Sequence, residues 1–418
     1  MFSFKNLLKA YYQCRKNKRN TINAIKFEIN FEKELLKLEQ ELKTKSYQPG
    51  VYVCFAITDP KLREIWASDF RDRVVHHLLI SYLEPIWEKK FIFHSYACRK
   101  YKGAHKAIHY LKKAINSLDS GRRASIYSPS GVSEKIYYLQ TDIHSFFMSI
   151  DKQILFSQIV KHVKNPDILW LCKIIIFHNP TSNYLVRGDK NLLSSIPKHK
   201  SLFLNPKNKG LPIGNLTSQF FANLYLNELD QFTKHTLKCK YYFRYMDDLV
   251  ILHTSKSQLI TFRNKTSSFL LTNLKLKFHP KKQILQPITN GINFLGYITK
   301  PNYVLSRRRV VSSLKQKLYY FNKSLNHENN FNPEKEKYLK LPLLYLNELP
   351  SLEFINKVQS TINSYYGHFR HSNSFHLRKT IYFDYFKELK KFLEPADKNF
   401  SHFTIKKSYL SLLDARRS

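Results

Sequence analysis

Tyr245-Met246-Asp247-Asp248 sets two adjacent carboxylates inside an otherwise apolar, strand-like run from Tyr241 to Leu252. Two unpaired carboxylates are costly to bury in a strand. The pair makes chemical sense where both acids face a bound cation, and divalent cations held in this way organise phosphoryl transfer. A third acid, Asp142, closes a second strand-like run, Leu139-Gln140-Thr141-Asp142, and is followed by Phe146 and Phe147. Metal-dependent nucleotidyl transfer needs carboxylates from separate segments that converge on two cations. A strand-end Asp and a hairpin Asp-Asp can converge in that way.

The elements that must position these acids can be read from pattern. The stretch from Ile136 to Ile143 reads as a strand and Tyr241–Leu252 as a hairpin whose turn carries Asp247 and Asp248. Asp151, just ahead of Lys152-Gln153-Ile154-Leu155-Phe156, reads as a helix cap rather than a ligand. An amphipathic helix is expected over about 215–236, after Gly210-Leu211-Pro212. Upstream, Phe31, Leu35, Leu38 and Leu42 recur at helical spacing, and a helix starts at Asp69–Leu79. Residues 117–133 (Ser, Gly and Arg) and 179–209 (Pro, Asn, Ser and Lys) read as loops, the second as an insertion. His105 and His109 share a helical face but lack a third ligand.

Composition narrows the partner. The chain has 418 residues, with 69 Lys plus Arg against 31 Asp plus Glu, a net charge of +38. That excess is spread from end to end and predicts a polyanion, most simply nucleic acid, rather than a membrane surface met by one helix face. At 43% hydrophobic residues the chain can bury a core, and its length allows two or three subdomains. The five cysteines, Cys14, Cys54, Cys98, Cys172 and Cys239, show no CxxC spacing and argue for a reducing compartment. With no membrane-length apolar run and no signal-peptide pattern, a cytoplasmic location is expected.

Taken together and in order, the motifs resemble those of reverse transcriptases. Asp142-Ile143-His144-Ser145-Phe146-Phe147 is similar to their first catalytic motif, Gly210 to Gln219 to the nucleotide-pocket motif, and Tyr245 to Asp248 to the metal-binding hairpin. His279-Pro280-Lys281-Lys282 and Asn293-Phe294-Leu295-Gly296-Tyr297 follow in the expected order. Ordered agreement of this kind is far more specific than any one motif. The resemblance implies an α/β (α+β) right-hand polymerase: fingers within residues 1–135, an antiparallel-sheet palm over 136–300, and a helical basic thumb over 301–418.

The resemblance also implies roles. Asp142, Asp247 and Asp248, with the backbone carbonyl of Ile143, would hold two Mg²⁺ ions, Mn²⁺ being a possible substitute. Lys282 would protonate the departing pyrophosphate. Lys61 and Arg63, in Lys61-Leu62-Arg63-Glu64-Ile65, would clamp the triphosphate, since Arg suits bidentate phosphate contact. Phe147 would be the steric gate against a ribose 2′-OH. Ile213, Gly214 and Gln219 would line the nucleotide pocket. Arg99 and Lys102 would meet template, Phe294, Leu295 and Gly296 would grip the primer, and Arg307, Arg308 and Arg309 would follow the duplex backbone.

One departure separates this chain from most of the family. Where Gln-Gly and a closing Ser-Pro are usual, it carries Ile213-Gly214 and Ser218-Gln219. This resembles the diversity-generating retroelement branch, as do Lys200-Ser201-Leu202-Phe203 and Ser364 to His371. That branch copies a template-repeat RNA into cDNA with errors at adenines for mutagenic retrohoming, using RNA template, cDNA primer strand, dNTPs and a small basic oligomeric accessory protein. The alternatives are a retron-like or phage-defence reverse transcriptase and, in another class, a non-catalytic RNA-binding maturase-like protein.

Overall fold

The computed structural model of the chain describes residues 1–16, 21–59, 61–126, 135–325 and 349–415. Two compact units emerge. The first comprises Met1–Ala107 and Ser133–Gln286, and the second takes the stretch that starts at Ile108 and the chain after Gln286.

In chain order the strands of the first unit are β1 (Tyr52–Ile57), β2 (Arg63–Ala67), β3 (Tyr137–Ile143), β4 (Tyr184–Val186), β5 (Tyr241–Tyr245), β6 (Asp248–His253) and β7 (Phe278–Pro287). They form two sheets. The larger has the order β5-β6-β3-β7, with β6 antiparallel to both β5 and β3. Leu249-Val250-Ile251-Leu252 in β6 is buried along its length, as a central strand of branched residues should be. The smaller sheet has the order β2-β1-β4.

The apolar core of the first unit lies beneath the larger sheet's helices. Leu35, Leu38 and Leu42 of the helix Phe31–Lys43 are buried, as their spacing requires. The helix Phe70–Glu88 adds Val74, Val75, Leu78, Leu79 and Leu83 to the same core. Asp151 caps the helix Lys152–Val160, its carboxylate accepting from the amides of Gln153 and Ile154. This is the role read for it from sequence.

Three local expectations are corrected. Residues 117–126 are not loop but the end of the helix Ala104–Ile126, while the remainder of that stretch, 127–133, lies outside the described residues. A Gly in a helix interior costs only about 1 kcal/mol, little for a helix already nucleated and anchored by buried Ala107, Ile108, Leu111 and Ile115. Residues 179–209 are not a plain loop, because β4 lies within them and pairs in parallel with β1, Val53 opposite Leu185. Three exposed strand residues carry no readable alternation. The helix expected over 215–236 divides into Leu216–Tyr225, Asn227–Gln231 and a π-helical turn, Phe232–Thr236. The widened turn begins two residues after Asp230, a buried acid used below.

The second unit contains β8 (Ile292–Phe294), β9 (Tyr297–Thr299) and β10 (Val304–Ser306) in one antiparallel sheet, and the antiparallel pair β11 (Leu393–Pro395) and β12 (Phe403–Ile405). The helices Arg308–Leu325 and Leu352–Phe369 bury Leu314, Leu318, Ile355, Val358 and Ile362 in its core. No disulfide joins any of the five cysteines. No helix among the described residues is long and apolar enough to cross a membrane.

Glu64, on β2, ties the smaller sheet to the segment before Gly210. It is 1% exposed, and its carboxylate accepts from the Ser201 hydroxyl at 2.6 Å, the Leu202 amide at 2.8 Å and the Trp66 indole. Removing it leaves three buried donors unanswered. Glu64→Ala should destabilise the fold by about 3 kcal/mol, read as a lower urea midpoint at unchanged slope.

Candidate active site

The acidic site is built by strand register. On the central strand β6, Asp248 lies opposite Asp142 of β3 on one side and Tyr245 of β5 on the other. Directly opposed residues on antiparallel strands have Cα atoms about 4.5–5.5 Å apart, and like charges so placed repel. β5 and β6 are joined by two residues, Met246 and Asp247. Asp247 is therefore in the turn as expected, whereas Asp248 is already the first residue of β6. The Ile143 amide donates to the Asp247 carbonyl at 3.3 Å, which ties the turn to the end of β3.

The crowding shows in the electrostatics. Burial, then the Asp142 charge, raises the Asp247 carboxyl to about 6. Burial, then the charges of Asp247 and Asp142, raises Asp248 to about 7. Cations partly offset this: Lys282 acts on both acids, Arg63 on Asp247 and Lys61 on Asp248. Lys282, which is about half exposed, makes a 2.8 Å ion pair with Asp142. Among the described residues no three His, Cys, Asp or Glu side chains already stand as a closed metal cage. The three acids instead supply adjacent oxygen donors whose mutual repulsion a cation would relieve, which is the chemistry of a divalent-ion site.

Two residues near the acids hold strained backbone. Met246, the first turn residue, has φ 53°, and Ser145, just after β3, has φ 46°. Positive φ in non-glycine residues costs roughly 1–2 kcal/mol, and such strain clusters at functional sites.

The turn rests on a buried ion pair that the motifs did not reveal. Arg244 and Asp230 are both 0% exposed and are joined at 2.6 and 2.8 Å. Arg244 also donates to Asn223, to Ser95 and, at 3.2 Å, to the Met246 carbonyl in the turn, while the Tyr242 hydroxyl donates to Asp230. A lone Arg in the apolar run Tyr241–Leu252 was the sequence clue, because such a charge requires a buried partner.

The other expected residues are distributed as follows. Lys61, just ahead of β2, and Arg63, its first residue, are both exposed. Phe147 is half-buried and packs against both apolar clusters that meet there, while Phe146 lies in the core. The Ile213 carbonyl accepts from the Trp66 amide at 2.7 Å, and its half-buried side chain packs against the small apolar cluster of Tyr52, Cys54, Trp66, Met148 and Leu202. Gly214 has φ +125°, and a Cβ there would stand 2.9 Å from the Trp66 carbonyl, so only glycine fits. Gln219 is exposed and accepts from the Cys98 thiol at 3.5 Å.

Arg99 is committed to the scaffold. It makes a bidentate pair with Glu88 and donates to the carbonyls of Ile92 and Ser95. Four of its five N–H donors are thereby engaged within the protein, and the side chain is only 5% exposed, which turns most of the guanidinium away from the template expected of it. Lys102 donates to the Phe93 carbonyl and lies 3.5 Å over the Phe93 ring. In the second unit, Phe294 ends β8, and Leu295 and Gly296 form its turn with φ 52° and 88°. Arg307, Arg308 and Arg309 are exposed at the start of the helix Arg308–Leu325.

A family model described as "Reverse transcriptase (RNA-dependent DNA polymerase)" matches residues 58–299. Protein YkfC of Escherichia coli (strain K12) is 22% identical over 332 residues, covering 71% of this chain and 79% of that relative.

Both raised carboxyls bind protons more tightly folded than unfolded, where an aspartate titrates near ~4. Their penalty to the metal-free fold is fully present above about 7 and is relieved as pH falls through 7 and 6. Asp248→Asn should therefore raise the metal-free melting temperature at pH 8 and leave it unchanged near ~pH 4, as read by calorimetry. Arg244→Met alone strands a buried Asp230 and should cost about 3–5 kcal/mol. The pair Arg244→Met, Asp230→Leu should recover most of that stability while nucleotide incorporation stays slow, because the Met246 carbonyl has lost its anchor.

Proposed function

The chain belongs to the reverse transcriptase family and is an RNA-directed DNA polymerase with a right-hand fold, and we propose that Asp142, Asp247 and Asp248 form its polymerising centre in the service of error-prone retrohoming. An RNA template, a primer and dNTPs are the substrates that this family implies. The observation that carries the site assignment is the register placing Asp248 opposite Asp142 beside the Asp247 turn.

Magnesium, or manganese in its place, would be held by these carboxylates and the Ile143 carbonyl, and when bound supplies Lewis-acid activation of the attacking and leaving oxygens. The chain's own groups do the rest. Lys282 shields Asp142 until substrate arrives, and its ammonium is then placed to give a proton to the departing pyrophosphate. Lys61 and Arg63, exposed and felt electrostatically by the acids, draw in the triphosphate. Phe147, wedged between two apolar clusters, presents a fixed ring against a 2′-OH. Gly214 lets the pocket backbone run close against β2.

By role, fingers, palm and thumb follow the divisions at 135/136 and 300/301. The hairpin Phe294-Leu295-Gly296 serves as primer grip, with a half-buried leucine held at positive φ at its turn. Arg307, Arg308 and Arg309 stand at the positive end of a helix dipole, a repulsive arrangement that a phosphate backbone would make favourable.

The diversity-generating reading rests on Ile213-Gly214 and Ser218-Gln219 standing where Gln-Gly and Ser-Pro are usual. A Gln side chain beside the new base pair can hydrogen-bond and hold it in register, whereas Ile213 has no such groups. Base-pair geometry is then checked less strictly. On this reading the template is a template-repeat RNA, and a small basic accessory protein joins the enzyme.

Primer extension on an RNA template should require dNTPs and a divalent ion, and Asp247→Asn with Asp248→Asn should reduce it by at least about a thousandfold. Sequencing of the cDNA should show errors concentrated opposite adenines, and Ile213→Gln should lower them. An unchanged error spectrum in that variant would remove the pocket explanation.

A further inference from the structure

The first unit holds a cavity of about 210 Å³ lined by Lys152, Lys207 and Lys209 and by no Asp or Glu. It shares no lining residue with the acidic centre. Lys152 is the anomaly. It is 4% exposed, and among the described residues its ammonium makes one hydrogen bond, at 3.4 Å, to the His178 carbonyl. That distance is beyond the usual N–H···O range, and a lysine has three donors to satisfy.

The acid next to it is engaged elsewhere, since Asp151 caps its helix and pairs with Lys275. Burial alone drives the Lys152 ammonium down to about 8. Lys152 is also the first residue of the helix Lys152–Val160, where the dipole disfavours a cation. A buried cation that faces a basic cavity with no counter-charge among the described residues calls for an anion.

The size and rim of the cavity indicate which anion. Pockets for whole small ligands run to roughly 300–1,000 Å³, so about 210 Å³ admits a phosphoryl group and adjoining sugar atoms rather than an entire nucleoside triphosphate. Phe203, at the rim, is 41% exposed and is held by the rings of Trp66 and Tyr184 at 5.0 and 5.2 Å. A fixed, exposed ring beside a basic cavity is a stacking platform for a base on a single strand.

We propose that this cavity binds a backbone phosphate of single-stranded nucleic acid, with Lys152 as its buried cation, Lys207 and Lys209 at its mouth, and the adjoining base stacked on Phe203. The site adds to the polymerising centre and rests on the reading that the chain handles RNA. Its floor, Gly210 and Pro212, leads directly into Ile213 and Gly214, and the intervening Leu211 amide donates to the Phe147 carbonyl at 2.9 Å. An occupied cavity therefore braces the backbone that carries the nucleotide pocket.

The test titrates an unstructured RNA oligonucleotide against the full chain by fluorescence anisotropy over a range of salt, with thermal melts of the free protein. Lys152→Met should melt higher than the parent and bind RNA about tenfold more weakly, with a log–log salt slope shallower by about one phosphate contact. Phe203→Ala should weaken binding at unchanged slope. Should Lys152→Met fail to fold, Lys209→Gln gives the same slope readout. Unchanged affinity and slope in these lysine variants would overturn the proposal. Inorganic pyrophosphate that raises the melting temperature of the parent but not of Lys152→Met, with RNA binding equal in both, would also overturn it in favour of a free phosphate ligand. Primer extension by the parent is run alongside, and its absence would count against the polymerase reading while leaving the RNA titration interpretable.

Discussion

Repulsion among three carboxylates is the constraint that the rest of this structure accommodates. Adjacent strands set Asp142 against Asp248, and a two-residue turn adds Asp247 beside them. Left alone, such a cluster would push the strands apart or take up protons, and the raised Asp247 and Asp248 carboxyls record that tension. The fold holds it in place from below. Arg244 and Asp230, fully buried, clamp the carbonyl of the turn, and the apolar body of β6 keeps the register from slipping. Lys282 holds Asp142 from the open side. Stability is given up at the acids and recovered in the ion pair and core around them, an arrangement expected of a site kept ready for a cation.

The segment proposed as the nucleotide pocket depends on a similar coupling. Glu64 gathers Ser201, Leu202 and Trp66, and the Trp66 amide donates to Ile213. The close approach of Gly214 to the Trp66 carbonyl then fixes the backbone where a substrate would lie. Positions 61–66 thus place cations on the open side and a buried acid on the closed side of one short strand. On the proposed reading, this one strand serves substrate attraction and pocket geometry together.

Much of this was legible in the chain. Asp142, Asp247 and Asp248 were identified as a converging set because acids in apolar strands are conspicuous, and the Asp151 cap followed from its position before a helix. Arg244 and Asp230 were missed because a buried ion pair links residues whose partnership no local spacing announces. Glu64 was overlooked between Arg63 and Ile65 because its three partners come from Trp66 on the same strand and from a distant stretch that reads as loop. β4 was invisible for the same reason: a three-residue strand owes its existence to β1 rather than to its own pattern. The packing of Arg99 was not legible because sequence cannot tell a guanidinium aimed at phosphate from one held by Glu88 and two carbonyls.

The central claim is that these three acids share a divalent cation. Calorimetric titration of Mg²⁺ or Mn²⁺, repeated in buffers of different ionisation enthalpy, tests it directly. The account predicts that binding near ~pH 6.5 expels protons from the raised carboxyls, that proton release fades above ~pH 8, and that Asp247→Asn abolishes tight binding. Cation binding without proton release, and equally tight in Asp247→Asn, would contradict it.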